Sequence, residues 1–172
     1  MELVEGTVEV GGERFPDPGA FVDVLSTVGA DHGVTVQAFD ARYVVSRRHL
    51  ERALELADRE RRRGAAIARD RAVEVLLYAA GRRQIDRALT MGVGEGVTPV
   101  VVLVDDPEGE AGHERAAASA VGDLLDSVET LGGYEPDRVC DFFDIGEVER
   151  SATEADLETL VLERVALLVV ER

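Results

Sequence analysis

The first forty residues change from a two-residue hydrophobic period to a helical one and back, which predicts a strand, a helix and a second strand. A valine-rich stretch at residues 3–10 predicts the first strand. Asp17 suits the N-cap of the following helix and Pro18 its first position, and this helix is predicted to end at Gly29. Alternating apolar residues at 34–38 predict the second strand.

The middle of the chain is predicted to be helical. Ser46 is expected to cap a helix that runs to Gly64, and Asp70 opens another. The second of these is apolar nearly all round, so it belongs in the core and ends at Gly81. A further helix precedes Gly92. In the first helix the apolar residues at i, i+3, i+4 and i+7 spacing are Leu50, Ala53, Leu54 and Ala57.

The last third mixes both periods. Strands are predicted at residues 97–104, 139–145 and 165–170, and helices at 110–131 and from a capping pattern at Thr153 and Asp156 onward. Strands and helices do not alternate strictly, which favours an α+β fold over a doubly wound sheet. We expect one domain over residues 1–172, built as two layers, with a mixed or antiparallel sheet of about four or five strands packed with several helices.

The charge composition is strongly one-sided. The chain has 35 acidic and 19 basic residues, a formal net charge of -16, and every basic residue is arginine. Lysine depletion with an excess of carboxylates is typical of proteins from halophiles. In multi-molar salt the screening length falls to about 3 Å, so mutual repulsion matters little. We interpret the acidic surface as an adaptation to solvent rather than as information about partners.

One segment runs against this bias. Residues 42–87 contain 13 arginines and seven acidic residues, a net charge of +6. The flanking segments, residues 1–41 and 88–172, carry net charges of -7 and -15. The central segment is therefore where we look for an anionic partner.

The helix that Ser46 opens carries arginines opposite its apolar side, at 100° per residue. These are Arg48, Arg52, Arg59, Arg62 and Arg63. One explanation is a solvated face on which Glu55 pairs with Arg59 and Asp58 with Arg62. The other is a surface that binds an anion, and the pattern alone leaves both open.

Arg82 and Arg83 stand at the predicted start of a helix, where unpaired N–H groups and the helix dipole usually favour Asp or Glu. An anion bound there would remove this conflict. The alternative is that both side chains extend into water. High salt weakens Coulombic RNA binding, so a salt-adapted site should rely on stacking and hydrogen bonds, which arginine supplies well.

No catalytic or metal-binding motif is present. Cys140 has no partner for a disulfide or a zinc site, and the three histidines lie in unrelated contexts. Residues 92–96 are rich in glycine but lack the lysine and helix of a phosphate-binding loop. Asp105 and Asp106 follow a strand, where they suit Mg²⁺, but more acidic residues follow, which favours an acidic loop. We expect a protein that is not an enzyme and needs no cofactor or metal.

Nothing in the sequence predicts secretion or a membrane span. The longest apolar run, residues 97–104, is far shorter than a spanning helix. The first ten residues alternate charged and apolar positions instead of forming a signal peptide. We expect a cytoplasmic protein without membrane contact.

Residues 75–89 read VLLYAAGRRQIDRAL. This run is similar to the signature LLY-x-x-G-x-R-Q-I-x-x-A-[IL] of the small subunit of the KEOPS complex, the family of the PRPK-binding protein. Helix patterning does not explain the fixed tyrosine, glycine, arginine, glutamine and isoleucine. The helix start at Ser46, Gly64 with residues 67–68, and residues 162–168 agree with the same family. The resemblance covers most of residues 36–104 and the C-terminal stretch.

The resemblance implies a non-catalytic α/β protein that binds the kinase/ATPase subunit of KEOPS and meets the other subunits indirectly. It also implies that the protein helps to present tRNA, chiefly through the 3′ CCA end, for threonylcarbamoyl-adenosine modification. Carried over by motif, the CCA-recognition surface would comprise Tyr78, Gly81, Arg83, Gln84 and Ile85. The implied phosphate contacts are Arg61, Arg62, Arg63 and Arg82. The implied kinase-facing residues are Leu157, Leu160, Val161, Val165 and Leu167.

A second function stays open beside this one. The chain would then be a protein-interaction adaptor that regulates a kinase through its apolar C-terminal segment, with no direct recognition of RNA. A comparison of tRNA with and without its CCA end distinguishes the two functions.

Overall fold

The computed structural model describes residues 1–171, and within this range it contains four β-strands and eight α-helices. The chain divides into two compact units. The first consists of Met1–Ala41 and Gly92–Thr130, and the second begins as Arg42–Met91 and resumes at Leu131. The single domain over residues 1–172 stays a prediction.

The first unit is built on an antiparallel sheet in the order β2-β3-β1-β4. Its strands are β1 (Glu2–Val10), β2 (Thr35–Asp40), β3 (Gly96–Asp105) and β4 (Asp126–Ser127). The longest pairing joins β1 to β3, from Glu2 opposite Val104 to Val10 opposite Gly96. The α+β class and the sheet of four strands are thereby confirmed.

Two helices, α1 (Pro18–His32) and α5 (Ala111–Gly122), pack on one face of this sheet. Alternate residues of the strands supply the core beneath them, including Val8, Val36 and Val102. Along β1, burial alternates from Gly6 to Val10 because alternate side chains point to opposite faces, whereas the central strand β3 is apolar and buried on both faces from Val100 to Val104.

Helix α1 begins as predicted but ends later. The Asp17 carboxylate accepts a hydrogen bond from the N–H of Ala20 at 2.8 Å, and Pro18 is the first helical residue. The predicted end at Gly29 is wrong, because the helix continues to Gly33, which has a φ of 67°. Gly29 is instead a packing position, where a Cβ would lie 2.8 Å from the carbonyl oxygen of Val34.

The second unit is helical in the described residues. Its helices are α2 (Arg47–Arg62), α3 (Arg71–Ala80), α4 (Ile85–Ala88), α6 (Pro136–Phe143), α7 (Glu147–Ala152) and α8 (Leu157–Leu167). The predicted caps of α2 and α3 are confirmed, since Ser46 accepts from the N–H of His49 and Asp70 from the N–H of Val73.

Helices α2 and α3 form an antiparallel pair. His49 near the start of α2 bonds to Ala79 near the end of α3, with 2.8 Å between Nε2 and the carbonyl oxygen. Toward the other end of the pair, Arg71 of α3 meets Asp58 of α2 at 2.7 Å. Helix α3 is buried on nearly every side, as its all-round apolar sequence predicted.

Two predicted strands are helices. Residues 139–145 lie mostly in α6, where Val139 and Phe143, one turn apart, are both buried. Residues 165–167 are the end of α8 and residues 168–170 follow it as turns, and Val161, Val165 and Leu168 are buried at helical spacing. A short apolar run suits a buried strand and a buried helix equally well, so periodicity did not separate them.

Two helix boundaries in the last third of the chain also differ from those predicted. The helix predicted over residues 110–131 ends at Gly122, and the chain turns into β4, where Asp126 pairs with Thr7 of β1. The helix start predicted from Thr153 lies one element too early. Asp156 is the N-cap of α8 and accepts from the N–H of Thr159 at 2.9 Å, whereas Thr153 follows the end of α7.

Within residues 1–171, no helix combines the length and the hydrophobicity needed to cross a membrane.

A neutral histidine joins α2 to α3. The His49 ring is fully buried, and its Nε2–H donates to the Ala79 carbonyl, since a carbonyl can only accept. Nδ1 accepts from the N–H of Val45 at 3.4 Å. The rings of His49 and Phe143 form an edge-to-face contact with 5.8 Å between their centroids. Burial lowers the pKa of His49 to about 4, because a charged imidazolium would lose its hydration.

We expect this histidine to make the protein less stable in mild acid. The unfolded state binds a proton near the ordinary histidine pKa of about 6.5, whereas the folded state resists protonation until about pH 4. The contribution of neutral His49 to the free energy of unfolding is therefore fully present above about pH 6.5 and is lost as the pH falls toward 4. Between pH 7 and pH 5 the loss amounts to about 2 kcal/mol.

Urea unfolding at constant salt measures the slope of the free energy of unfolding against pH. His49→Gln should flatten it between pH 5 and pH 7, although the variant is less stable at every pH. His32→Gln serves as the control and should keep the wild-type slope. An unchanged slope in His49→Gln would contradict the assignment.

Candidate functional site

The first half of the signature at residues 75–89 lies inside the second unit. Residues 75–80 form the end of α3 and are buried. Tyr78 is only 2% exposed, so its side chain packs in the core and does not reach a surface where a base could stack. We therefore leave Tyr78 out of the surface proposed below.

Gly81 ends α3 in a left-handed turn. Its φ is 60°, its N–H donates to the Tyr78 carbonyl at 3.1 Å, and the N–H of Arg82 donates to the Leu77 carbonyl at 3.0 Å. This is the hydrogen-bond pattern of a Schellman motif, for which glycine is the preferred residue. A Cβ on Gly81 would lie 3.2 Å from the carbonyl oxygen of Arg164 in α8. The glycine is thus required both by the turn and by the close approach of α8.

Arg82 is held within the protein. Its Nη2 donates to the carbonyl oxygen of Phe142 and to the Asp144 carboxylate, the latter at 3.2 Å. Its guanidinium lies 5.3 Å from the centre of the Phe142 ring. The side chain is 22% exposed. These contacts fix Arg82 to the connection between α6 and α7, which makes it a structural residue in this conformation.

Arg164 of α8 holds the same connection from a second side. Its Nε donates to the Phe143 carbonyl at 3.1 Å, and its Nη2 donates to the Asp144 carbonyl at 3.2 Å and to Glu149 at 2.7 Å. The pKa of Arg164 is raised, chiefly by the hydrogen bond to Glu149. Asp144 has a φ of 54°, which is uncommon for a residue with a Cβ. The two arginines thus stabilise a strained turn.

The residues after Arg82 are exposed. Arg83, Gln84, Ile85 and Arg87 all face solvent, and Ile85 is 49% exposed. Within residues 1–171, the guanidinium groups of Arg83 and Arg87 make no hydrogen bond or ion pair with the protein. We call residues 83–87, which include the first three residues of the one-turn helix α4, the exposed arginine loop.

The helix that follows is shorter than predicted. Helix α4 has four residues, and its N-cap, Gln84, makes no side-chain capping bond. Arg82 and Arg83 precede this single turn and are not part of it. The conflict with a helix dipole that the sequence indicated is therefore weak, since a dipole grows with the number of aligned peptide units.

The arginines of α2 are mostly paired, although with other partners than predicted. Arg52 pairs with Glu55 at 3.2 Å, and Arg59 and Arg63 share Glu60 at 3.0 and 3.2 Å. Asp58 bonds to Arg71 of α3 instead of Arg62. The solvated-face interpretation therefore describes most of this stripe.

The predicted phosphate contacts at residues 61–63 differ from one another. Arg61 donates to the carbonyl oxygens of Ala68 and Arg69, each at 3.1 Å, and so closes the connection between α2 and α3. Arg63 is bound to Glu60. In the described part of the chain, only Arg62 of the three has a guanidinium without a partner.

The two predicted arginine clusters do not form one patch. Residues 61–63 end α2, beside the start of α3, whereas Arg82 and Arg83 follow the end of α3. The ten residues of α3 separate these positions by about 15 Å at 1.5 Å per residue.

Sequence reasoning missed two buried carboxylates that shape this region. Glu74 accepts from the N–H groups of Ile67 and Ala68, the latter at 2.6 Å, and Glu60 is fully buried beneath Arg59. The only signal was a glutamate among the apolar residues of the core helix α3. Such a residue needs internal hydrogen-bond partners, because an unpaired buried charge is costly.

The predicted kinase-facing residues of α8 face two ways. Leu160, Val161 and Val165 are at most 3% exposed and pack inward, Leu157 is half-buried, and Leu167 is 45% exposed. Most of this set therefore forms core in the structure. A surface on α8 must consist of other residues.

The outward side of α8 lines a groove against α2. The groove has a volume of about 590 Å³ and is lined by Arg48, Glu51, Arg52, Glu55, Thr159, Leu162, Glu163 and Ala166. The two helices start side by side, since the Ser46 hydroxyl donates to Glu158 at 2.8 Å. The pKa of Asp156 at the start of α8 is lowered, mainly by the N–H of Thr159 and to a lesser extent by Arg48. Leu162 and Ala166 are the apolar residues of the lining, and its charged residues come from both helices.

The remaining titratable groups show no metal site. Among residues 1–171 there is no cluster of three or more His, Cys, Asp or Glu side chains able to hold a metal ion. In the first unit, His113 meets Asp106 at 3.1 Å. The pKa of Asp106 is lowered, chiefly by the N–H of Glu108 that it accepts. This pair closes the loop between β3 and α5.

Comparison with known families gives a match that covers most of the chain. A family model described as kinase binding protein CGI-121 matches residues 25–168 of the chain. The matched range includes all the helices of the second unit, the exposed arginine loop and the groove between α2 and α8. No curated protein matches the sequence.

The packing of Gly81 predicts an unusually costly substitution. Gly81→Ala should destabilise the protein by more than about 2 kcal/mol, because a left-handed alanine costs about 1–2 kcal/mol and its Cβ would crowd the Arg164 carbonyl. Gly64→Ala is the matched control, since Gly64 has a φ of 72° but no atom lies within 4 Å of the point that a Cβ would occupy. It should lose only about 1 kcal/mol. Equal losses in urea unfolding would show that the approach of α8 is not limiting.

Proposed function

The chain belongs to the CGI-121 family of kinase binding proteins, and we propose that it is a non-catalytic subunit that binds a protein kinase through the groove between α2 and α8. Its resemblance to the KEOPS small subunit identifies the proposed partner as the kinase/ATPase subunit of that complex. Through this partner it would meet the other KEOPS subunits indirectly.

One observation carries this proposal. Helix α8 presents Leu162 and Ala166 to the groove between charged residues of both helices. An apolar centre with a charged rim is the usual anatomy of a protein interface. Leu167 adds exposed apolar surface on the same helix.

Helix α8 is anchored near both ends. The Ser46 hydroxyl donates to Glu158 in its first turn, and Gly81 lies against the Arg164 carbonyl in its last turn. A surface that is already ordered loses little conformational entropy when a partner binds. The buried residues Leu160, Val161 and Val165 contribute by fixing the helix rather than by touching the kinase.

A substitution in the groove tests the kinase proposal. Leu162→Arg should weaken binding of the purified kinase subunit by about thirtyfold or more, the loss expected at the centre of an interface. Val148→Arg in α7 is the matched control, since Val148 is 81% exposed and gains the same charge. Titration calorimetry gives the affinities, and circular dichroism verifies the fold. Equal affinities of the two variants would contradict the proposal.

We further propose that the exposed arginine loop binds the 3′ CCA end of tRNA. The supporting observation is that the guanidinium groups of Arg83 and Arg87 have no partner among residues 1–171, on a protein of net charge -16. Gln84 lies between them as a donor and acceptor, and Ile85 offers an apolar contact for a base. Single-stranded RNA is recognised by such stacking and hydrogen bonding. Arg62 remains a separate proposed contact to phosphate.

Arg83→Gln should weaken binding of intact tRNA and make the dependence of log K on log salt less steep by about one phosphate contact. Arg115→Gln in α5 is the matched control, since it removes the same charge from an exposed helix and should leave both quantities unchanged. The measurement is a filter-binding titration at several salt concentrations.

The same titration with tRNA that lacks its CCA end separates the two functions. Loss of affinity for the shortened RNA supports recognition of the 3′ end. Equal affinity for both RNAs would overturn the RNA proposal and leave a kinase-binding adaptor.

A further inference from the structure

We propose that Arg82 and Asp144 form a positioning pair, which holds the exposed arginine loop in the shape that receives RNA. This inference deepens the proposed tRNA function and rests on it. It also reassigns Arg82, which the family resemblance implies as a phosphate contact. The geometry points to a role inside the protein.

Arg82, the residue that precedes the loop, is fixed from two directions. The backbone of Arg82 is tied to Leu77 by the turn that ends α3. Its guanidinium is tied to Asp144 and to the carbonyl oxygen and ring of Phe142. Because consecutive Cα atoms lie about 3.8 Å apart, fixing both ends of Arg82 restricts where Arg83 begins.

Between Arg82 and helix α4, little else holds the loop. Within residues 1–171, Arg83 makes no hydrogen bond or ion pair through its side chain, and Gln84 gives no side-chain cap to α4. The backbone is next tied where the N–H of Ala88 donates to the Gln84 carbonyl at 3.1 Å. Release of Arg82 would therefore free the segment that carries Arg83, and RNA binding would have to order it again.

Asp144, the acceptor of the pair, is held in place by its own contacts. Asp144 occupies a left-handed turn that Arg164 secures through the carbonyls of Phe143 and Asp144. The Asp144 carboxylate is itself 82% exposed, so the ion pair alone would be weak. Phe142 compensates for the weak ion pair, because its carbonyl and its ring hold the same guanidinium by a hydrogen bond and a cation–π contact.

The test uses Arg82→Gln and Asp144→Asn in the full chain, with Arg138→Gln as the matched control. Asparagine tolerates the left-handed turn at position 144, so its backbone should persist. Arg138 also pairs with a carboxylate and lies over an aromatic ring, with Glu135 at 2.7 Å and the centre of the Tyr43 ring at 5.5 Å, but it does not bond to Arg82 or Asp144. Circular dichroism verifies that each variant is folded.

Amide hydrogen exchange is the first readout and needs no RNA. We expect faster exchange of the Arg82 and Ala88 amides, whose hydrogen bonds to the Leu77 and Gln84 carbonyls border the loop, in Arg82→Gln and Asp144→Asn, and wild-type exchange of both amides in Arg138→Gln. Unchanged exchange in the first two variants would overturn the positioning role, whatever the RNA result.

The salt dependence of tRNA binding is the second readout. We expect Arg82→Gln to weaken binding about threefold to tenfold, the cost of ordering a side chain or short loop, with the salt slope of the wild type. A slope reduced as in Arg83→Gln would show that Arg82 contacts phosphate directly and would overturn the inference. If wild-type protein shows no preference for intact tRNA, the tRNA proposal fails, while the exchange experiment still decides whether Arg82 and Asp144 order the loop.

Discussion

The end of α3 is the point on which the second unit depends, because neighbouring elements are built against its backbone. The Ala79 carbonyl accepts from the buried His49 of α2, and Gly81 lies against the carbonyl of Arg164 in α8. Arg82 then reaches across to α6 and the turn that follows it. A helix with neighbours on every side has no face left for solvent, which is why α3 is apolar nearly all round.

The arginine excess of residues 42–87 is only partly a binding signal. Arg61 and Arg82 donate to backbone carbonyls, and Arg71 closes the pair of helices through Asp58. A guanidinium suits this work because its donors are rigid and it stays charged at all relevant pH values. Net charge counts these structural arginines together with the unpaired ones, so it overstates the surface that is available to an anionic partner.

Most elements were predictable where local chemistry alone decides them. Asp17, Ser46 and Asp70 each cap the helix that their side chains suggested, and the valine run at β3 forms the central pairing of the sheet. Prediction failed at residues 139–145 and 165–170. Those runs are apolar and short, so either secondary structure buries them, and the choice belongs to the elements they pack against.

The sequence by itself determined the fold class, the caps and the turn that ends α3 at Gly81, because periodicity, capping and turn formation depend on residues a few positions apart. It also supplied the family resemblance, with which the CGI-121 match over residues 25–168 agrees. Only the tertiary structure decided which arginines remain unpaired. Asp144 lies 62 residues from Arg82 along the chain, and no spacing rule reaches that far. The two arginine clusters were likewise separated by the antiparallel course of α2 and α3, since packing in three dimensions, and not distance along the chain, sets which charges meet.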